Sequence, residues 1–374
     1  MKKIVGIIAA VAMATSVFAA DVSAKVNLLG SVFNWKQDGN LHVLGIAEGG
    51  QGWNPSFAMT VSGDKAGASM KFNDPEATGA VSNVNYNLWF KPIDALKIQV
   101  GQWDTNLNQE KIDWSNTATG IDSNGVALCL NTNGFELDAF FVTGWSGGNF
   151  GWNRNNNIKG WINKGSAEGA KAEISETYIK AAYGADFGTI SAYADLKANG
   201  GYSDWSTGSE VKIDVPGMDF GFGYANTFGS VNTFFNGIVG FGNKGTDENQ
   251  FGIFRGEAYV ATNIDAFGIS AFIVGGYANK DVATNIAQDK LANVHPGYDG
   301  AFLGFIAKFT YGINGYTPYL YLKEDNFMKG GDFAMEIKPG VTFNVGTCAL
   351  DIALDIKLDS KTEIDVPVVM TVAW

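Results

Sequence analysis

Apolar and polar side chains alternate at every second position along most of this chain. Between residues 347 and 358 the apolar positions are Leu350, Ile352, Leu354, Ile356 and Leu358. The charged positions between them are Asp351, Asp355 and Lys357. Successive side chains of a β-strand point to opposite faces, whereas a helix would spread these charges around its circumference. The pattern therefore predicts strands that have one apolar and one wet face.

Connections of two kinds are predicted between the alternating runs. Tight turns rich in Gly, Asn, Asp and Pro are expected at 63–65, 91–94, 131–134, 186–188, 215–218, 263–267, 312–315 and 344–346. These residue types supply the backbone angles that hairpin turns require. Longer polar stretches are expected at 35–54, 104–121, 145–173, 228–250 and 278–298. Short turns that alternate with long loops are typical of outer-membrane barrels.

The strand count follows from these connections. Eight tight hairpins give sixteen strands, and a first strand at 22–34 and a last at 363–374 make eighteen. Sixteen strands remain an alternative, because the segments near Ser209 and Ser230 are weakly patterned. The predicted fold is all-β: a transmembrane antiparallel up-and-down β-barrel of about 18 strands. A barrel of about 16–18 strands is wide enough to enclose an aqueous channel.

Both ends of the chain carry patterns that indicate export and membrane assembly. Residues 1–19 combine a basic start, an apolar run and small residues before a cleavage point, which predicts a signal peptide. Residues 20–374 are then one barrel domain. At the other end, apolar residues at every second position precede a terminal aromatic residue, a pattern that resembles the signal for the barrel assembly machinery: Val366, Val368, Met370, Val372 and Trp374.

Composition supports a barrel and narrows the partners. The chain has 48 Gly, 26 Phe, 13 Tyr and 10 Trp but only 17% charged residues, which suits strands that face lipid on one side. Its formal net charge is −12. This balance argues against nucleic acid as a partner, because phosphate binding needs basic patches. It permits a pore that prefers cations.

The polar face of the strands supplies the candidate pore lining. A Lys or Arg in a lipid-facing row costs about 2–4 kcal/mol at the bilayer midplane, so these charges are expected on a wet inner face. Pore-lining charges would set ion preference through the local field. The candidates are Lys97, Glu136, Asp138, Asp195, Lys197, Arg255, Glu257, Lys308, Glu336, Lys338, Asp351, Asp355 and Lys357.

No catalytic or metal-binding constellation is evident. His42 and His295 are the only histidines, and neither lies in a recognisable nucleophile or acid motif. Cys129 and Cys348 are expected on opposite strand faces, which argues against a disulfide. We therefore expect no enzyme activity, no cofactor and no metal.

The segment 145–164 is rich in Trp and Asn. Its candidates for contact with a loop-bound ligand are Trp145, Trp152 and Trp161. Aromatic rings with nearby amides can stack on sugars, but they can equally pack within a long external loop. A third alternative has the loop folded into the barrel lumen.

One stretch carries a family resemblance. The segment 90–101, Phe-Lys-Pro-Ile-Asp-Ala-Leu-Lys-Ile-Gln-Val-Gly, resembles a strand-turn-strand of porin-like outer-membrane proteins from treponeme-type spirochaetes. The segments 30–33 and 63–69 are similar as well. The resemblance implies the same barrel class and an outer-membrane location, but it implies no substrate.

Two functions fit this fold. The first is a porin through which small hydrophilic solutes or ions diffuse passively, with outer-membrane lipid and the assembly machinery as partners. The second is a surface adhesin or antigen that works through its long external loops. A wide barrel must be filled or open, and little chain is left to fill it, which favours the porin. The oligomeric state stays open, with a homotrimer as one arrangement.

Overall fold

The computed structural model describes residues 21–37, 41–43, 54–75, 81–106, 120–143, 174–197, 201–204, 209–212, 217–243, 249–279, 298–328, 334–359 and 361–373. These residues are almost entirely β-strand. No helix within these ranges is long and apolar enough to cross a membrane.

The strands are numbered β1 to β22 in chain order. The first eleven are β1 (Asp21–Lys36), β2 (Leu41–Val43), β3 (Asn54–Ser62), β4 (Ala66–Pro75), β5 (Val81–Ile93), β6 (Leu96–Asn106), β7 (Gly120–Thr132), β8 (Phe135–Thr143), β9 (Ile174–Ala185), β10 (Gly188–Lys197) and β11 (Gly201–Asp204). The others are β12 (Ser209–Lys212), β13 (Gly217–Phe228), β14 (Val231–Asn243), β15 (Asn249–Ile264), β16 (Phe267–Ala278), β17 (Gly300–Tyr311), β18 (Tyr316–Glu324), β19 (Met335–Val345), β20 (Cys348–Ala353), β21 (Asp355–Leu358) and β22 (Thr362–Ala373).

The strands close into an antiparallel barrel of 18 strands, which confirms the predicted fold and the larger strand number. Neighbours in the chain pair with each other, and β22 pairs with β1 to close the circle. β20 and β21 share one place in the wall, because the strand is interrupted at Leu354. β2 adds only three residues beside the end of β1. β11 and β12 pair only with each other, in a separate two-stranded sheet.

Seven of the eight predicted tight turns lie between paired neighbouring strands. The turn between β7 and β8 illustrates the local cause, since Asn133 and Gly134 have φ of 50° and 80°. Two consecutive positive φ values define the type I′ hairpin turn, which Asn-Gly adopts readily.

The predicted tight turn at 215–218 is wrong. Gly217 and Met218 begin β13 and pair with Lys197 and Leu196 of β10. The tight turn lies instead at Gly229 and Ser230, where Gly229 has φ of 63°. A Pro-Gly pair marks a break in a strand but does not distinguish a tight turn from the end of a long connection.

The long polar stretch predicted at 228–250 is also wrong, because it contains all of β14. This strand carries Asn232, Asn236 and three glycines, which weaken its strand pattern. It nevertheless pairs with β15 along its whole length and with β13 from Val231 to Phe241. The predicted strand count is still correct, because the tight turn expected at 215–218 is replaced by the turn at Gly229 and Ser230.

The barrel wall is irregular at its closing pair of strands. Pro367 in β22 lies opposite Ser31, and the pairing of β1 with β22 shifts register between Ser31 and Asn34. On its other side, β22 faces the interruption at Leu354. Since proline has no backbone N–H, it is tolerated in a strand chiefly at such points.

Candidate functional site: the inner face of the barrel

Strand register divides the barrel wall into two faces. Directly paired residues of neighbouring strands lie on the same face of a sheet, so each pair extends one surface around the barrel. One surface carries large exposed apolar side chains, such as Phe222 (57% exposed), Phe235 (54%) and Phe254 (50%). The other carries buried and half-buried polar groups, and we call it the inner face. The two cysteines fall on opposite faces, and both are free thiols.

The predicted lining residues share the inner face. Their register connects them from strand to strand, as in the row Lys97, Cys129, Asp138 and Lys180. The inner-face positions are Lys97, Glu136, Asp138, Asp195, Arg255, Glu257, Lys308, Glu336, Lys338, Asp351, Asp355 and Lys357. The backbone of Lys197 pairs with Glu176 and Gly217, but its side chain lies outside the described residues.

One side of the inner face is acidic and buried. Asp195 of β10 lies directly opposite Asp219 of β13, and the two side chains are 5% and 2% exposed. Asp138 on β8 is buried as well, and the neighbouring Glu136 pairs with Lys180 at 3.1 Å. Further round, Arg255 and Glu257 form a buried ion pair, and Asn236 donates to Glu257 at 2.8 Å. Several carboxylates of like charge on one surface make its local potential negative.

A cluster of aromatic residues also lies on the inner face, from β8 to β18. Tyr178 and Tyr193 stack with their ring centroids 5.1 Å apart, and Phe234 stacks on Tyr259 at the same distance. The largest members of this cluster are buried: Phe140, Tyr178, Tyr193, Phe234, Tyr259, Phe272, Phe302 and Tyr321. The alternation of apolar and polar residues does not predict them, because apolar residues on both faces of a strand erase it. Their spacing offers a signal, since Tyr193 and Tyr259 lie two residues from the predicted Asp195 and Glu257.

Several inner-face rings lie over glycines of the neighbouring strand. A Cβ atom on Gly340 would lie 2.3 Å from Cζ of Tyr319, and one on Gly67 would lie 2.5 Å from the indole nitrogen of Trp89. Glycine at these positions lets the ring lie flat against the wall. Tyr319 also donates to Asp351 at 2.9 Å, and the ammonium of Lys308 lies 4.8 Å from the centre of its ring.

Another part of the inner face, on β18 to β22 and β1, carries closely spaced charges of both signs. We call this part the seam wall, because it includes the closing pair β22 and β1. The ammonium of Lys338 lies 2.6 Å from Glu336 and 3.0 Å from Asp355, and it lies over the ring of Tyr321. Most of its side chains are half-buried, in contrast to the buried inner face of β7 to β17.

A cavity of about 370 Å³ opens at the long-connection end of the seam wall. Its lining includes Lys36, Lys357 and Lys361 together with Asp325, Glu336, Asp359 and Glu363. We call it the seam cavity. It has the size of a small-molecule site.

Some predicted site residues cannot be placed. Trp145, Trp152, Trp161, His295, Trp374 and the expected signal peptide lie outside the described residues. Of the predicted assembly signal, Val368, Met370 and Val372 lie on the outer face, paired with Ile352, Leu350 and Cys348. Val366 is on the same face by alternation. Within the described ranges, no group of His, Cys, Asp or Glu is placed to hold a metal ion.

The fold is similar to solved outer-membrane barrels. The chain is similar to Pseudomonas aeruginosa OccK2 (OpdF), with a TM-score of 0.56, 8% identity, and coverage of 95% of this chain and 97% of that chain. It is similar to the P. aeruginosa outer membrane protein OpdK, with a TM-score of 0.55, 8% identity, and 95% and 99% coverage. OpdK with vanillate gives a TM-score of 0.53, 8% identity, and 95% and 98% coverage.

Sequence comparison adds no relative. No protein-family model matches the chain, and no curated protein matches it. At 8% identity the solved structures establish the fold, and the resemblance to spirochaetal proteins gains no support from these comparisons.

Proposed function

We propose that this chain is an outer-membrane porin, through which small hydrophilic solutes and ions diffuse passively. One observation carries the proposal. In a closed barrel of 18 strands, the described charged side chains at mid-strand lie on the inner face while large apolar residues cover the outer face. This distribution suits a wall between lipid and water, because charges facing lipid are costly.

The width of the barrel supports an aqueous path. Barrels of 16–18 strands enclose more space than their own side chains fill. The half-buried seam wall is the part of the inner face where water and solutes would pass, since the aromatic cluster covers the opposite part. The lining residues in this proposal are the inner-face charges named above, with Lys308, Lys338, Asp351, Asp355 and Lys357 on or beside the seam wall.

The comparisons support the location and the class of solute. A similar barrel is described as the outer membrane protein OpdK, and it has also been described with vanillate, a small organic molecule. We propose an outer-membrane location for this chain, after removal of residues 1–19, with lipid and the assembly machinery as partners. We also propose that the barrel forms a homotrimer and that the chain is related to spirochaetal porin-like proteins. Each of these two points needs its own test. The alternative of a surface adhesin has no support in the described residues or in the comparisons.

Single-channel recording from the refolded chain in a planar lipid bilayer tests the porin. We expect stepwise openings whose conductance rises in proportion to salt concentration. A salt gradient then gives the reversal potential, which measures the ion preference that the lining charges produce. A barrel that is folded, as judged by heat-modifiable migration in gels, but gives no openings would overturn the proposal and favour the adhesin.

A further inference from the structure

The charges of the seam wall alternate in sign from strand to strand. Register places Lys36 of β1 opposite Glu363 of β22, and Glu363 opposite Lys357 of β21. The row continues through Glu336 of β19 to Lys323 of β18. Five successive strands therefore present positive, negative, positive, negative and positive side chains at one level of the barrel.

The seam cavity is built on this row. Lys36, Lys357, Glu336 and Glu363 of the row line it, and three further charges complete the lining: Lys361, Asp325 and Asp359. Lys36 and Glu363 are 3.5 Å apart, so opposite charges already come together within the cavity. Three lysines face four carboxylates, which leaves the cavity close to neutral overall.

A near-neutral lining of alternating charges selects a particular kind of solute. A simple cation or anion meets attraction and repulsion at neighbouring positions, so the row gives it little net gain. A molecule with one ammonium and one carboxylate a few ångströms apart can meet opposite charges on adjacent strands, which are about 4.8 Å apart. Charge-assisted hydrogen bonds of this kind are the stronger ones in proteins.

We propose that the seam cavity binds small zwitterions, of the class of α-amino acids, on their way into the barrel. The proposal deepens the porin function and rests on it for the transport step, but binding itself does not require an open channel. In the bound state the carboxylate of the solute lies toward Lys357 and Lys361, and its ammonium lies toward Glu336 and Glu363. Deeper in the seam wall, the half-buried Lys338 and the buried Asp355 then offer the next pair of opposite charges.

Binding is tested with three probes of similar size that differ in charge. Alanine is the zwitterion, propionate has only the carboxylate, and isopropylammonium has only the ammonium. Titration calorimetry of the folded full-length barrel in detergent, at low ionic strength, gives the affinities. We expect alanine to bind about tenfold or more tightly than either control, which corresponds to about 1.4 kcal/mol or more. Equal affinities for the three probes would overturn the proposal.

A pair of matched double variants identifies the site. Lys357→Met with Glu363→Gln removes one charge of each sign from the cavity and leaves the net charge unchanged. Gln at 363 can still accept the hydrogen bond that Asn34 now donates to Glu363 at 2.8 Å. We expect this variant to lose the preference for alanine. The control variant is Lys65→Met with Asp94→Asn, which removes a surface ion pair at the opposite end of the barrel. This control should keep the preference for alanine.

The same preparations separate the two proposals. Channel recordings of the unchanged barrel decide whether it conducts, and calorimetry decides whether it prefers zwitterions. A conducting barrel without a preference for alanine overturns the zwitterion site and leaves the porin intact. A barrel that prefers alanine but shows no openings supports the site and overturns the porin. If the cavity variant retained the full preference, the site assignment would be wrong.

Discussion

The flat position of Tyr319 against the barrel wall depends on Gly340, and this dependence gives a sharp test of the inner face. An alanine at position 340 would put its Cβ 2.3 Å from Cζ and 2.4 Å from the hydroxyl oxygen of Tyr319. The obstructing atoms are the far end of a side chain, so the ring is expected to swing away while the strands stay paired. On the inner face, the free direction is toward the lumen.

The cost of Gly340→Ala follows from the contacts that the ring leaves. The hydrogen bond from Tyr319 to the Asp351 carboxylate contributes about 1.5–3 kcal/mol. The contact with the Lys308 ammonium contributes about 0.5–1 kcal/mol. Alanine recovers about 0.5–1 kcal/mol relative to glycine in a strand. We therefore expect a loss of about 1–3 kcal/mol, together with a lower single-channel conductance because the ring narrows the path.

Urea unfolding in lipid vesicles measures the stability, and planar bilayers measure the conductance. Gly237→Ala is the matched control, because it lies on the outer face and its Cβ would meet no atom within 4 Å. A double-mutant cycle with Tyr319→Ala tests the mechanism. Without the tyrosine ring, Gly340→Ala should cost nothing and should not lower the conductance. Additive losses in the double variant would refute the reasoning.

Three further perturbations test other parts of the structure. Val368→Lys on the outer face should lower the free energy of unfolding in vesicles by about 2–4 kcal/mol, whereas Val369→Lys on the inner face should lower it much less. Equal losses for the two variants would contradict the assignment of faces. Arg255→Met removes the ion-pair partner of the buried Glu257 and should cost about 3–5 kcal/mol in urea unfolding, while the addition of Glu257→Gln should restore most of it. Asn326→Ala removes the acceptor for the backbone N–H groups of Leu303 and Met328, so hydrogen exchange should accelerate at these two amides and stay unchanged at Val368.

Alternation predicted the barrel because one physical rule applies to most of its strands. An apolar outer face and a polar inner face give the period-2 pattern, as in β19 and β20, and the faces of Glu336, Lys338 and Asp351 follow from it. The rule loses its signal where both faces are apolar. Phe140, Tyr178 and Phe272 therefore could not be recognised as inner-face residues.

Strand β14 and the turn after β13 show a second limit. Asn236 is polar because it faces inward and bonds Glu257, and Gly237 is small on the outer face. Sequence composition alone cannot separate such a strand from a loop, since both are rich in Asn and Gly. The position of a turn depends on which strands pair, and pairing is a long-range property. The seam cavity was not predictable for the same reason, because its charges come from four strands and the connections between them.

The seam also shows that the inner-face charges hold the barrel together as well as facing its lumen. Pro367 and the register shift between Ser31 and Asn34 interrupt the backbone pairing of β1 with β22. At this point the hydroxyl of Ser31 donates to Asp365, and Asn34 donates to Glu363. Side-chain hydrogen bonds thus join the two strands where the backbone pairing is interrupted. A bulged closing pair needs polar partners, and in a barrel surrounded by lipid the inner face is the place that can supply them. Substitutions of Glu363, which also lines the seam cavity, therefore test stability and solute selection together, and a substitution that keeps a hydrogen-bond acceptor, such as Glu363→Gln, separates the two.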